Sequence, residues 1–121
     1  MRYALLIYSA PGAHEDTPLA RSHSIDWVAY ARAAKDAGIL LGAEQLTPAD
    51  TATSVRMRAE DQLLTDGPFM ETKEHLLGFF LVDVPDLDTA LEWASKMPAA
   101  AHGTIEVRAA YTGMAWQAVL D

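Results

Sequence analysis

The alternation of apolar and polar residues along the chain predicts strands and helices in turn. Arg2 to Ser9 form a continuous β-prone run, which is typical of a central strand buried on both faces. From Ile25 to Ala37 apolar residues recur at helical spacing, so this segment is predicted to be an amphipathic helix that starts after the polar stretch His14 to Ser24. Gly38 lies where a left-handed residue would end that helix.

Short apolar runs bounded by turn residues predict five further strands. Asp66-Gly67 is a common turn pair, and we expect it to fold one short strand back onto the long apolar run that follows. Between the last two strands, apolar residues from Leu87 to Ala94 mark one face of a second helix. The predicted strands are Ile39 to Leu46, Thr53 to Arg58, Gln62 to Thr65, His75 to Val84 and Thr104 to Tyr111.

This order of elements predicts an α+β fold. We expect a ferredoxin-like, mainly antiparallel sheet with two helices on one face, because each apolar stripe must be buried against the sheet. With only two predicted helices, the other face of the sheet would be left exposed to water. We therefore expect a second subunit to cover it through a self-complementary contact, giving a barrel-like homodimer.

The length of the chain, 121 residues, fits a single domain that covers residues 1–121. Residues 112–121 are expected to form a C-terminal extension. This segment contains Met114, Trp116, Val119 and Leu120, which are too apolar to be left free in water. It should therefore dock on its own domain or on a partner.

The charge balance and the absence of cysteine exclude several classes of function. Seventeen acidic residues against nine basic ones give a net charge of -8, and the basic residues form no cluster, so no direct binding of nucleic acid is expected. With no cysteine, thiol chemistry is excluded and a reducing, cytoplasmic location fits. The apolar start, Tyr3 to Tyr8, is too short to span a membrane.

The segment Thr65 to Glu74, TDGPFMETKE, contains the first candidate for chemistry, the corner formed by Asp66, Gly67, Pro68 and Phe69. A carboxylate held by a Gly-Pro bend can act as a general base or orient an imidazole. The same Asp66 is explained equally well as a turn residue that caps a nearby backbone N–H. Phe69 is a candidate for the wall of a substrate pocket, although core packing is the usual use of such a side chain.

Other charged and hydroxyl-bearing residues complete the set of candidates. Glu71 and Lys73 would share one side of an extended segment, either as an ion pair near Asp66 or as solvated surface charges. Glu44 interrupts an apolar strand, where a carboxylate needs a partner or a pocket. Tyr8 offers a hydroxyl for binding a substrate if it is not simply packed in the core.

No motif in the chain indicates a metal or a cofactor. The four histidines show no spacing of metal ligands, so no metal is expected. A phosphate loop, a dinucleotide fingerprint and a Gly-x-Ser-x-Gly elbow are all missing from the sequence. Any enzymatic reaction should therefore be independent of a cofactor.

The central motif resembles the DGPF branch of the YCII-related family. The likeness extends from Thr65–Glu74 into the following apolar strand. It also covers the opening YALLIY, the segments Gly42–Leu46 and Val84–Ala94, and the GTIEVR at Gly103–Arg108, so it spans nearly the whole chain. The tail beyond Tyr111 is longer than is usual in this family.

The resemblance implies a dimeric α+β barrel and leaves two functions open. One branch of the wider family dehydrochlorinates an aromatic ring compound with a His and an Asp, and His23 lies where the wider family places its catalytic histidine. Relatives are also often encoded beside, or fused to, extracytoplasmic-function sigma factors. The chain is thus expected to be either an acid–base enzyme acting on a small organic molecule or a non-catalytic module that binds a ligand or such a sigma factor.

Overall fold

A computed structural model of the chain describes residues 1–10, 18–70, 72–111 and 117–120; for 18–25, 117 and 120 it describes the backbone alone. This part of the chain contains six strands and three α-helices. Two short 3₁₀ turns lie at Ala49–Thr51 and Pro98–Ala101. The elements are β1 (Arg2–Ser9), α1 (Pro18–Asp36), β2 (Leu40–Gln45), β3 (Thr53–Arg58), β4 (Asp61–Asp66), β5 (His75–Asp83), α2 (Leu87–Ser95), β6 (Thr104–Ala109) and α3 (Gln117–Leu120).

Four of the strands form the main sheet in the order β2-β5-β1-β6, and all neighbours are antiparallel. This confirms the predicted α+β, ferredoxin-like fold. In β1, Tyr3, Leu5 and Ile7 are buried beneath the helices, whereas the intervening residues are half-buried on the other face. The expectation that both faces of β1 are fully buried was therefore wrong, because α1 and α2 cover only one of them.

The core lies between the sheet and the two longer helices. Phe80 and Val82 of β5 join the buried side chains of β1, and Ala90 and Ala94 of α2 pack from above. The other two residues of the predicted α2 stripe, Leu87 and Leu91, are exposed. The small alanines allow α2 to approach the sheet closely, so the buried stripe of this helix is narrower than the sequence suggested.

Helix α1 begins seven residues before its predicted start at Ile25, with Pro18 at its first position. A proline is well tolerated there because its missing N–H would have no partner within the helix. The end of α1 follows the prediction. Gly38 has φ +75°, its N–H bonds to Lys35 O at 2.9 Å, and the N–H of Ile39 bonds to Ala34 O at 3.2 Å. These two bonds satisfy carbonyls that the helix end would otherwise leave unpaired.

The β3–β4 hairpin differs most from the prediction. Strands β3 and β4 form a separate two-stranded sheet, in which Arg58 pairs with Asp61 across a tight turn. Asp66-Gly67 therefore does not fold β4 back onto β5, as the sequence suggested; the turn lies at Ala59, which has φ 55°. We call residues Thr53–Asp66 the arm.

Asp86 fixes the start of α2. Its carboxylate accepts hydrogen bonds from the Thr89 hydroxyl at 2.7 Å and from the Thr89 backbone N–H at 2.9 Å. The hydroxyl bond, and then the backbone bond, lower the pKa of Asp86 because both favour the charged form. The Pro85-Asp86 pair thus ends β5 and caps the next helix in a single step. None of the described helices has both the length and the apolar character needed to cross a bilayer.

Tyr30 links the two helices through the core. Its hydroxyl donates to the Trp93 carbonyl at 2.9 Å, and its ring meets Phe80 edge-on with centroids 5.2 Å apart. Burial raises the pKa of Tyr30 well above its usual range, because the phenolate would lose its hydration. The hydroxyl therefore remains a donor throughout the neutral and mildly alkaline range.

Tyr30 should make the stability of the fold depend on pH under alkaline conditions. In the unfolded chain the phenol titrates near pH ~10. Above that pH the unfolded state binds fewer protons than the folded state, so the free energy of unfolding falls, by up to about 1.4 kcal/mol per pH unit, until the pH passes the raised folded pKa. Denaturant titrations at pH 8 to 11 measure this slope. At pH 8 the free energy of unfolding of the Tyr30→Phe variant should be about 1 kcal/mol lower than that of the wild type. In the variant this free energy should not show the fall with pH that Tyr30 causes. Equal slopes in the two proteins would contradict the assignment.

Candidate functional site

Among the described elements, α1 and α2 pack on one face of the main sheet, and alternation along the strands decides which side chains the opposite face presents. We call this the open face and define it by Leu6, Tyr8, Glu44, Phe79, Leu81 and Glu106. The strand register places Glu44, Phe79, Leu6 and Glu106 in one row across all four strands. This row has an apolar centre with a carboxylate at either edge, and the exposed Arg108, which pairs with Ala4, lies on the same face of β6 as Glu106.

The apolar centre of the open face is accessible in a single protomer. Leu6, Tyr8 and Phe79 are half-buried, and Leu81 is 41% exposed. A contiguous apolar surface of this kind on a soluble chain is typical of a surface that binds a ligand or a partner. Tyr8, predicted to bind substrate, lies on this face opposite Leu76 of β5 and Thr104 of β6.

Glu44 lies on the edge strand β2 and is exposed. The sequence argument expected this carboxylate to need a partner or a pocket, but an edge position gives it direct access to water. Its backbone is held close to β5, because a Cβ atom on Gly78 would lie 2.4 Å from the Glu44 carbonyl oxygen. Gly78 thus fixes where Glu44 stands beside Phe79.

The Asp66–Phe69 corner is anchored to the chain at the start of the arm, by Ala52 just before the arm and by Ser54 within it. The N–H of Gly67 donates to Ala52 O at 2.6 Å, and the Ser54 hydroxyl donates to Gly67 O at 3.0 Å. Gly67 has φ +96°, a left-handed conformation that favours glycine. The corner is therefore a rigid bend, and the Asp66 side chain at its start is exposed.

Phe69 does not pack in the core. Its ring is 65% exposed, and the Arg56 guanidinium carbon lies 4.5 Å from the ring centroid. A cation at this distance from an aromatic face is attracted by its negative potential. Arg56 and Phe69 together present a flat surface, both apolar and cationic, on one side of the arm.

The other predicted site residues are not joined by contacts among the described residues. No hydrogen bond or ion pair between described side chains connects Asp66 with Glu44 or with Lys73, which is exposed. Glu71 lies outside the described residues, so its predicted ion pair with Lys73 stays a prediction. His23 lies within α1 rather than ahead of it, and its side chain is likewise outside the described part of the chain.

Glu74 makes a contact that the sequence did not indicate. Its Oε1 atom accepts a hydrogen bond from the Thr104 hydroxyl at 2.6 Å, across 30 residues of sequence. The Thr72 hydroxyl donates to the Glu74 carbonyl. The segment that leads from the corner into β5 is thereby tied to β6 at the edge of the sheet that bears Thr104.

Several of these groups meet at one end of the sheet, although they are far apart in sequence. Thr104 pairs with Tyr8 near the end of β1, and His75 of β5 pairs with Ser9 beside them. Among the described residues, no group of three or more histidine or acidic side chains is placed to hold a metal ion.

Comparison with known proteins gives a consistent result over nearly the same span. A family model described as the YCII-related domain matches residues 1–112. The chain is also similar to an uncharacterised protein of Rhizobium meliloti (strain 1021), with 39% identity over 116 residues, which cover 89% of this chain and 90% of that protein. The matched family region ends where the expected C-terminal extension begins.

Proposed function

The chain belongs to the YCII-related domain family, and from this premise we propose that it is a cofactor-independent enzyme acting on a small organic molecule. The observation that carries the proposal is the open face, on which an apolar row ends in a carboxylate at each edge. Binding sites for small molecules are mostly apolar, with a few polar groups that fix the orientation of the ligand. The open face has this composition.

Asp66 is the proposed general base. The two hydrogen bonds made by Gly67 hold the corner, so the carboxylate starts from a fixed backbone. A positioned base speeds proton transfer by about 10²- to 10⁴-fold without any cofactor. Elimination or isomerisation suits such a site, because each needs one base and a surface that excludes water.

The remaining candidates have supporting tasks in this proposal. Glu44 and Tyr8 border the apolar row and orient the substrate, and Lys73 or His23 receives or returns the proton. The sequence Asp66 to Phe69 supports placing the chain in the DGPF branch of the family. We further propose a cytoplasmic homodimer in which the second subunit covers the open face and closes the site to water.

The Asp66→Asn variant tests this function directly. The substrates are a panel of small chlorinated and unsaturated cyclic compounds, and turnover is measured by chloride release and ultraviolet absorbance. We expect the turnover of the wild type to fall by about 10²-fold or more in the variant. Asp61→Asn is the matched control, since Asp61 is also an exposed carboxylate of β4 but lies at the far end of the arm. Unchanged turnover by Asp66→Asn with every accepted compound would refute the assigned base.

The net charge of -8 supports a rival proposal, in which the acidic surface binds an extracytoplasmic-function sigma factor and no reaction is catalysed. Titration calorimetry of the purified pair distinguishes the two. Salt-sensitive binding to the sigma factor, together with no turnover of the panel, would favour the regulatory module. Turnover that depends on Asp66 would favour the enzyme.

A further inference from the structure

Three polar side chains lie at one end of the open face. Thr104 pairs with Tyr8 in the β1–β6 register, so the two side chains share that face of the sheet. The Thr104 hydroxyl donates to Glu74 Oε1 at 2.6 Å, which brings the Glu74 carboxylate to the same face. We call Tyr8, Glu74 and Thr104 the polar end.

Glu74 reaches this position across a neighbouring strand. In the sheet order, β1 lies between β5 and β6, and neighbouring strands are about 4.8 Å apart. Glu74 immediately precedes β5 and Thr104 is the first residue of β6, so their backbones are two strand intervals, roughly 10 Å, apart. The hydrogen bond between their side chains therefore crosses the end of β1. The carboxylate borders the open face at the end where Tyr8 lies.

Local backbone contacts hold both partners of this hydrogen bond in place. A Cβ atom on Gly103 would collide with the Tyr8 carbonyl oxygen, so glycine allows β6 to start this close to β1. The N–H of Gly103 also donates to Ala99 O at 2.7 Å. On the other side, the Thr72 hydroxyl donates to the Glu74 carbonyl. The polar end is thus organised before any ligand binds, which lowers the entropy that binding costs.

Glu74 differs from the neighbouring carboxylate of the open face. Glu106 is exposed, whereas Glu74 is half-buried, and Thr104 is its one hydrogen-bond donor among the described side chains. No ion pair between described residues joins Glu74 to the exposed Lys73 that precedes it. Arg108 lies four residues along β6 from Thr104, roughly 13 Å away. The second carboxylate oxygen of Glu74 is therefore available to a ligand.

The hydrogen-bonding capacity of the polar end favours one kind of ligand group. A carboxylate only accepts hydrogen bonds, and a hydroxyl has a single proton to donate. Because Thr104 uses that proton on Glu74, these two side chains offer acceptors and no free donor. A ligand group that only accepts would leave lone pairs facing lone pairs, which costs the desolvation of both groups. A ligand group that donates satisfies them.

We propose that the polar end binds the substrate through a hydrogen-bond donor, a hydroxyl or amino group, while the rest of the molecule lies on the apolar row at Leu6 and Phe79. The inference rests on the proposed function and names the group that its substrate carries. Glu74 accepts the hydrogen bond from this group and is thus a further substrate-binding residue. Leu6 is two residues from Tyr8 on the same face, about 7 Å away, so one substituted ring spans both parts of the site.

Matched probes with one carbon skeleton test this preference. Cyclohexanol and cyclohexylamine carry a donor, whereas cyclohexyl methyl ether does not. Dissociation constants are measured by NMR titrations that follow the backbone amides of Tyr8 and Thr104. We expect the wild type to bind at least one donor-bearing probe about fivefold or more tightly than the ether. The tighter of the two identifies the donor as a hydroxyl or an ammonium group. Equal dissociation constants for all three probes, or no binding of any, would overturn the proposal.

Two variants tie the preference to the polar end. Glu74→Gln keeps the size of the side chain but removes its charge, and Thr104→Val removes the hydroxyl that holds it. Each should reduce the preference for the donor-bearing probe to about twofold or less. Glu92→Gln, a change of the same kind at an exposed position of α2, should keep the full preference. A folded Glu74→Gln protein with the preference of the wild type would refute the role of Glu74.

Probe binding needs no turnover, so this inference and the proposed function fail separately. A preference that depends on Glu74, in a protein that turns over no compound, would refute the enzyme and support the polar end. A reaction that depends on Asp66, with no preference among the probes, would do the reverse. With an accepted substrate, Glu74→Gln should raise KM with little change in kcat, because the lost hydrogen bond is made in both the ground state and the transition state.

Discussion

A Leu5→Ala variant is expected to lose about 2–5 kcal/mol of unfolding free energy. Leu5 is 0% exposed at the centre of β1, between Phe80 and Val107 in the register of the neighbouring strands. Truncation removes the transfer free energy of three carbons and leaves a cavity that the surrounding strands cannot fill. Denaturant unfolding followed by circular dichroism measures the loss, which should be independent of protein concentration.

The neighbouring residue provides the control for this prediction. Leu6 is half-buried on the open face, next to Leu5 in the chain and of the same size. In a dilute, monomeric sample Leu6→Ala should cost less than Leu5→Ala, because its side chain already meets water. At concentrations that favour the proposed dimer its cost should rise. A loss as large as that of Leu5→Ala at the lowest concentration would show that the open face is packed within the protomer.

The core of this fold could be predicted because local signals agree with the tertiary structure. The strand Thr53–Arg58 has the predicted bounds, and β1, β2, β5 and β6 fall within two residues of theirs. The end of α1 was also predictable, since a glycine after an amphipathic segment favours the left-handed conformation that Gly38 adopts. Hydrophobic periodicity and turn residues act over a few positions in the chain. In these elements no long-range contact favours a different structure.

The arm shows where local reasoning fails. Asp-Gly is a stronger hairpin signal than Ala59-Glu60, so the sequence favoured a turn at Asp66-Gly67. The structure instead pairs β4 with β3, with Ala59 at φ 55°, and uses Gly67 as a bend that leaves the hairpin. Strand partners are chosen by long-range packing, which a turn dipeptide does not encode.

The candidate residues were chosen one at a time from the sequence, which did not predict how they are arranged. The Glu44, Tyr8 and Phe69 side chains are all accessible, as a binding surface requires, yet the sequence did not show that Glu44 and Phe79 share a row. Glu74 escaped selection because its partner Thr104 lies 30 residues away. A carboxylate just before a strand was the available signal, and such residues are usually solvated.

A Gly78→Ala variant is expected to lower the free energy of unfolding by about 1–3 kcal/mol or more, because the added methyl group has no space. Its Cβ would lie 2.4 Å from the Glu44 carbonyl oxygen and 3.2 Å from the Gln45 Cα. Both are backbone atoms of β2, so a rotamer change cannot relieve the contact. Strand β2 must move away from β5, and Glu44 moves with it.

Gly42→Ala is the matched control, since Gly42 lies in the β2–β5 pairing and an added methyl group there would meet no atom within 4 Å beyond its chain neighbours. It should be neutral or slightly stabilising, because alanine loses less conformational freedom on folding than glycine. Thermal unfolding and hydrogen exchange of the β2 amides compare the two variants. If Glu44 borders the substrate, a folded Gly78→Ala protein should also show a raised KM, whereas Gly42→Ala should not. Equal stability and equal exchange in both variants would mean that β2 is free to shift, and Glu44 would then lack the fixed position that orienting a substrate demands.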